Sequence, residues 1–243
     1  MVRLLDQTLS SPEENLALDE ALLMELESAV DQGRKPLSCE TLRLWESPVP
    51  FVALGAGSKV RDEVDRELCH ADRLPILRRC SGGGTVVLGP GCLSFTLILS
   101  LELRPELRDV RASYERLLGA LAQAFALEGL GRAGPSDLAY HGRKFSGNAQ
   151  MRKSSSMLHH GTILYGFDLG LVERYLPVPR LIPGYRRGRS HRDFLCNLPV
   201  NVRQVRAVLA RAFAANAASG AELPEYSRLV AEKYARSSWI ERR

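Results

Sequence analysis

The chain is poor in the features that mark several large protein classes. Its 243 residues hold five cysteines, Cys39, Cys69, Cys80, Cys92 and Cys196, an odd number with no CxxC pair. Neither a disulfide framework nor a structural zinc site is expected, and a reducing compartment is. No HxxxH or mixed His/Cys cluster occurs, which again argues against zinc. No stretch reaches the ~18 apolar residues of a membrane span. The opening run, MVRLLDQTLSSPEENLALDEALL, mixes acids with apolar residues and reads as neither a signal nor a transit peptide. A cytoplasmic protein without membrane contact is therefore expected. Aromatic residues make up 7%. The basic stretch from Arg180 to Arg192 carries only Tyr185, too little for the interleaved stacking array of a nucleic-acid binder. The Walker pattern GxxxxGK[ST] and the GxGxxG fingerprint are both missing, as are internal repeats and low-complexity segments.

What is present is ordinary globular material. Hydrophobic residues make up 45%, charged residues 25%, and the formal net charge is +5. A core of normal size is within reach at this length, and the mild basicity suits an acidic partner or an anionic substrate. Ser11 before Pro12, Glu13 and Glu14 reads as a helix start: a cap, a first-turn proline, then acids at the positive end of the dipole. Leu16, Leu18, Leu22, Leu23 and Leu26 follow at mainly helical spacing. Strands are expected at 41–45 and 51–54 around a Ser47-Pro48 turn, at 76–79, at 92–101 and at 161–167. A hairpin of 137–140 and 144–147 turns at His141-Gly142. Helices are expected at 110–130, 169–176, 202–218 and 224–234. Strands and helices mix without strict alternation, so the expected fold class is α+β, a central mixed β-sheet flanked by helices. No interior linker is visible, and 1–243 reads as a single domain.

Three segments carry chemistry. In the first, Arg78 and Arg79 lead into Cys80-Ser81-Gly82-Gly83-Gly84-Thr85. Three glycines without Cβ let backbone approach a ligand, and successive free N–H groups can bind an anion. The arginines offer forked donors for a phosphate or carboxylate. A bare GGG reads equally well as a hairpin turn. In the second, Gly142-Arg143-Lys144-Phe145-Ser146-Gly147-Asn148-Ala149, a lysine lies among small residues, where it can offset charge that builds up in a displacement. Its plain alternative is a solvated hairpin lysine. The third is His159-His160-Gly161-Thr162. Adjacent strand residues point to opposite faces, so at most one of the two histidines faces a given site.

Taken together and in order, RRxSGGG, then GRKxSGNA, then HHGT resemble the lipoate–protein ligase and octanoyltransferase family. The opening NLALDEALL, the strand from Leu42 to Trp45, and the ending with Glu232-Lys233-Tyr234 and Trp239 resemble it too. The resemblance implies the fold shared with biotin–protein ligases and class II aminoacyl-tRNA synthetases. It implies attachment of a lipoyl or octanoyl group to a lysine of a lipoyl carrier domain or glycine-cleavage H-like protein. In the ligases, lipoate and ATP with Mg²⁺ give lipoyl-adenylate, from which the acyl group moves to the carrier. Carried over by motif, Lys144 is the catalytic lysine. Arg79, Ser81, Gly82, Gly83, Gly84, Gly147, Asn148, His160, Gly161 and Thr162 hold the acyl chain and adenylate. Asp137 is the magnesium candidate, although Ser136 stands where the family has asparagine. Leu88 replaces the histidine of GGGxVxH, which implies a more apolar or differently shaped pocket. No separate C-terminal accessory domain is expected within 1–243, so an accessory subunit or another donor enters the reading.

The alternative within the family is an octanoyl-[acyl carrier protein] transferase. It forms a thioester on a cysteine. Cys80 and Cys196 are the candidates, with nearby arginines able to depress a thiol pKa. Neither matches the cysteine motif of the best-known transferases, and either can instead be a small core residue. A reading of another class is a non-catalytic carrier-binding assembly subunit, against which the retained Lys144 and glycine loop argue.

Overall fold

The computed structural model describes residues 2–179, 182–217 and 222–242. The chain begins with β1 (Val2–Asp6) and helix α1 (Pro12–Asp31), and continues with β2 (Thr41–Trp45), β3 (Phe51–Leu54), β4 (Ile76–Arg78), β5 (Val86–Leu88) and β6 (Cys92–Ser100). Helix α2 (Val110–Phe125) precedes the antiparallel run β7 (Leu130–Ala133), β8 (Asp137–Tyr140), β9 (Arg143–Arg152) and β10 (Ser156–Leu164). Then come α3 (Gly170–Tyr175), α4 (His191–Phe194), α5 (Val202–Ala212) and β11 (Ala215–Ala217), followed by short helical turns between Ser227 and Ile240.

Eight strands form one sheet in the order β11-β1-β2-β6-β10-β9-β8-β7, and β4-β3-β5 form a smaller one. The β11–β1–β2 pairs are parallel and the remaining pairs of the large sheet antiparallel, so the mixed α+β expectation holds. Strand β6 lies at its centre with all nine residues buried. Its period of two sorts them: Leu93, Phe95, Leu97 and Leu99 join the core packed by Leu117, Leu118 and Leu121 of α2 and by Leu209 of α5. Ile98 turns instead to Leu18, Leu22 and Leu26 of α1. Helix α1 starts as its sequence dictates. Ser11 and Glu14 form a reciprocal capping box, with Glu14 N–H on Ser11 Oγ at 3.2 Å and Ser11 N–H on Glu14 Oε2 at 2.8 Å.

Several expected elements differ. The helix expected over 110–130 stops at Phe125, where Ala126 turns left-handed at φ 51°, and Leu130 to Ala133 become an edge strand. The helix expected over 202–218 stops at Ala212, and Ala215–Ala217 pair with β1. Ala218 and Arg180 lie outside the described residues. The last expected helix, 224–234, starts at Ser227 and loosens into a π-turn over Val230–Tyr234. The strands expected at 41–45 and 51–54 form with those bounds, as β2 and β3, and enter different sheets. The two histidines stand inside β10, which begins at Ser156, not ahead of a strand.

Candidate functional site

The glycine loop, the β8–β9 hairpin, β10 and the basic loop before α4 enclose a cavity of about 540 Å³. That is the size of a small-molecule site. Its apolar lining includes Trp45, Val87, Leu88, Leu164, Phe167 and Leu176. Its polar lining includes Asp137, Lys144, Asn148, His160 and Thr162, with Gly147 among them.

Lys144 projects from β9 toward Asp137 of β8, with Nζ 2.8 Å from Oδ1. Tyr185 donates its phenol to the other oxygen, Oδ2, at 2.7 Å, and both burial and Asp137 push that phenol's pKa up. Gly147 leaves room for the lysine: a Cβ there would stand 2.8 Å from Nζ. Gly161 does the same for Asn148, whose Oδ1 would lie 2.0 Å from an added Cβ. Asn148 donates to the Ser136 carbonyl at 2.9 Å. Its own Oδ1 is buried without a donor, the kind of orphaned acceptor a ligand can satisfy.

The glycine loop is held from within. Arg79 donates to the carbonyls of Ala53, Gly82 and Gly84 at 3.0, 2.7 and 2.8 Å and to Ser81 Oγ at 3.0 Å. Arg78, fully buried, donates to the carbonyls of Gly55, Ser58, Trp239 and Ile240. The expectation of two free forked donors is thus corrected: both guanidinium groups are committed to backbone carbonyls and shape the loop. Burial pulls Arg79 down to about 10, which leaves it charged at neutral pH. Gly83 adopts φ +86°, a left-handed conformation suited to glycine.

The two histidines point to opposite faces, as alternation requires. His159 is wholly buried against Phe95 and Tyr114. His160 meets Ser81 Oγ at 2.6 Å through Nε2 and faces Asp19 of α1 at 3.9 Å through Nδ1. Burial would raise the pKa of Asp19, but Arg43 at 2.6 Å and His160 hold it below the usual carboxylate range. The structure therefore brings Arg79, Gly83, Gly84, Asp137, Lys144, Gly147, Asn148, His160, Gly161 and Thr162 to one cavity wall. Ser81 sits one hydrogen bond behind His160, and Gly82 contributes its carbonyl to Arg79.

The cysteines stand apart. Neither Cys80 nor Cys196 is among the lining residues. Burial pushes the Cys80 thiol up to about 12, with the Glu20 charge adding to it, against the expectation that arginines depress it. Burial also raises Cys196, outweighing Arg143, and its Sγ–H points at the Arg143 carbonyl at 3.4 Å.

Sequence reading missed four contributors. Asp19 was legible as an acid on the apolar face of α1. Glu63 accepts from Thr85 N–H at 3.0 Å and from Ser58 Oγ at 2.9 Å, and no motif announces it. Tyr185 and Arg186 lay in the basic loop with no local sign that they fold onto the cavity.

The lipoyl protein ligase A/B catalytic-domain model matches residues 11–214. The chain belongs to this family. Octanoyltransferase LipM of Moorella thermoacetica is 32% identical over 194 residues, covering 70% of this chain and 68% of that one. The putative lipoate-protein ligase A of Aeropyrum pernix is 30% identical over 178 residues, 73% of this chain and 62% of that one. The bipartite lipoate protein ligase of Thermoplasma acidophilum, solved in a study of it and its E2 lipoyl domain, superposes with a TM-score of 0.81 at 23% identity, over 99% and 96% of the two chains. The family transfers lipoyl or octanoyl groups, and its members carry both ligase and transferase names.

Proposed function

We propose that this chain attaches a lipoyl or octanoyl group to a specific lysine of a lipoyl carrier domain or H-like protein, as an ATP-dependent lipoate–protein ligase. The observation that carries this choice is a cavity with Lys144 on its wall and no thiol. The apolar lining suits an eight-carbon chain. The Lys144 ammonium has three donors and gives one to Asp137, leaving two for an acyl oxygen and a phosphate oxygen. When the carrier amine attacks the acyl–phosphate anhydride, a new C–N bond forms, the C–O bond to phosphate breaks and AMP leaves. Lys144 offsets the charge on both oxygens in that step. Asn148, His160 and the glycine loop line the same cavity.

For Mg²⁺ the donor set is thin. No group of three His, Cys, Asp or Glu side chains gathers among the described residues. Magnesium commonly uses one or two carboxylates plus substrate phosphates, and Asp137 fits that mode if it releases Tyr185 or Lys144. The metal would supply charge neutralisation on the phosphates. Exposed Arg143, Arg187 and Arg192 beside the cavity suit an acidic carrier surface.

The second reading, a thioester-forming octanoyltransferase, is favoured by the names of several relatives, the Moorella protein among them. Two variants separate the readings. Cys80→Ser and Cys196→Ser are each expected to keep most of the carrier-modifying activity. Complete loss in either, with the fold retained by circular dichroism, would transfer the assignment to the transferase.

A further inference from the structure

Arg186 poses an electrostatic problem that the described residues do not solve. It is 2% exposed and lies on the cavity wall. Only its Nε has a partner, the Arg189 carbonyl at 2.9 Å. Nη2 is buried with no acceptor at all. No carboxylate of the described residues makes an ion pair with it. The Arg189 charge acts against it, and the Phe194 ring centroid lies 4.9 Å from its guanidinium carbon. A buried cation without an anion is among the costliest arrangements in a protein interior.

The segment around it is not loose. Tyr185 is bonded to Asp137, the partner of Lys144. Arg189 donates to the Arg186, Tyr185 and Gly142 carbonyls. The loop is thus stitched to the β8–β9 hairpin on both sides of Arg186, and Arg186 lines the same cavity as Lys144.

We propose that Arg186 is the phosphate-binding residue of the acyl donor site, its unpaired N–H groups taking oxygens of the phosphate ester that the donor carries. This rests on the acyl-transfer reading. The shared chemistry is a phosphate oxyanion, which a nucleotide brings in the ligase reaction and a phosphopantetheine arm brings in the transferase reaction. The Phe194 ring supports the guanidinium from one side, and the planar group offers the forked donors that suit phosphate oxygens. In the ligase reaction Lys144 then bridges the acyl and phosphate oxygens, and Arg186 adds a second contact to that phosphate.

The experiment compares wild type with Arg186→Ala and Arg186→Lys on three donors: lipoate with ATP-Mg²⁺, octanoyl carrier protein, and octanoyl-N-acetylcysteamine, a thioester without phosphate. Carrier modification is read by mass, with circular dichroism checking the fold. For whichever phosphate-bearing donor wild type uses, Arg186→Ala should raise KM about 10- to 100-fold, the worth of a hydrogen bond to a charged group. Arg186→Lys should restore part of the loss. Reaction with the phosphate-free thioester, where wild type shows it, should change less than about threefold. Calorimetry with ATP and with carrier protein covers a wild type that turns over neither. An unchanged KM or Kd for the phosphate-bearing donor in Arg186→Ala overturns the assignment of Arg186. Wild type using octanoyl carrier protein and ignoring ATP would instead overturn the ligase reading, and the same variant would still decide Arg186 on that donor.

Discussion

In the proposed mechanism, Lys144 concentrates the chemistry of this site into one ammonium group. A single carboxylate orients it, and Gly147 gives it space. Lys144→Ala should therefore cost about 10²–10³ in turnover, the usual loss for a preorganised charge contact, with folding intact. Lys144→Arg should fail as well, because a planar fork does not fit a space cut for a compact ammonium. Near wild-type turnover by either would refute this role, and single-turnover transfer to an apo carrier is the measurement. A second prediction concerns His159. Burial lowers its pKa from 6.5 to about 3. Gln150 Nε2 donates to its Nδ1 at 3.1 Å, which places the proton on Nε2, where no acceptor waits. Between pH 6.5 and 3 the unfolded chain takes up a proton there that the folded chain refuses. Stability should fall as pH drops below about 6.5. His159→Asn should show a shallower loss of urea midpoint between pH 7.5 and 5, and an identical slope would contradict the account.

At the scale of elements, much was written in local pattern and some was not. The caps, the apolar stripe of α1 and the buried runs of β2, β3 and β6 were legible, because each is fixed by neighbours within a few residues. The ends of α2 and α5 were not. Nothing near Leu130 or Ala215 says that an open sheet edge waits for it; that information lies in β8 and β1. Among the site segments, Lys144, Asp137, His160 and the glycine run were visible as motif. The use of Arg78 and Arg79 was not, since their acceptors are carbonyls from 53 to 58, 82 to 84 and 239 to 240. The loop they shape gives a third prediction. In Gly83→Val the backbone must hold a β-branched residue at φ +86°, and its Cβ would meet Arg79 Nη2 at 3.1 Å. A backbone penalty of roughly 1–3 kcal/mol follows, so the domain should still fold while acyl-substrate affinity collapses. Calorimetry showing wild-type affinity would detach the loop from the site.

Across the whole molecule, the two ends of the chain converge on the glycine loop. Asp19 of α1 faces His160. Trp239 donates its indole N–H to the Arg78 carbonyl at 2.8 Å, and Lys233 binds Glu20 at 2.7 Å. The site is thus a property of the assembled fold, held by residues more than 140 positions apart. Its central chemical feature is an acyl-sized cavity equipped with a lysine and without a thiol. The measurement that tests this most directly is the intact mass of an apo carrier incubated with the protein, given either lipoate with ATP-Mg²⁺ or octanoyl carrier protein. The account predicts a lipoyl adduct on the carrier with pyrophosphate released in the first mixture, and no acyl adduct on the enzyme in the second. A hydroxylamine-labile octanoyl mass on the enzyme, formed without ATP, would contradict it.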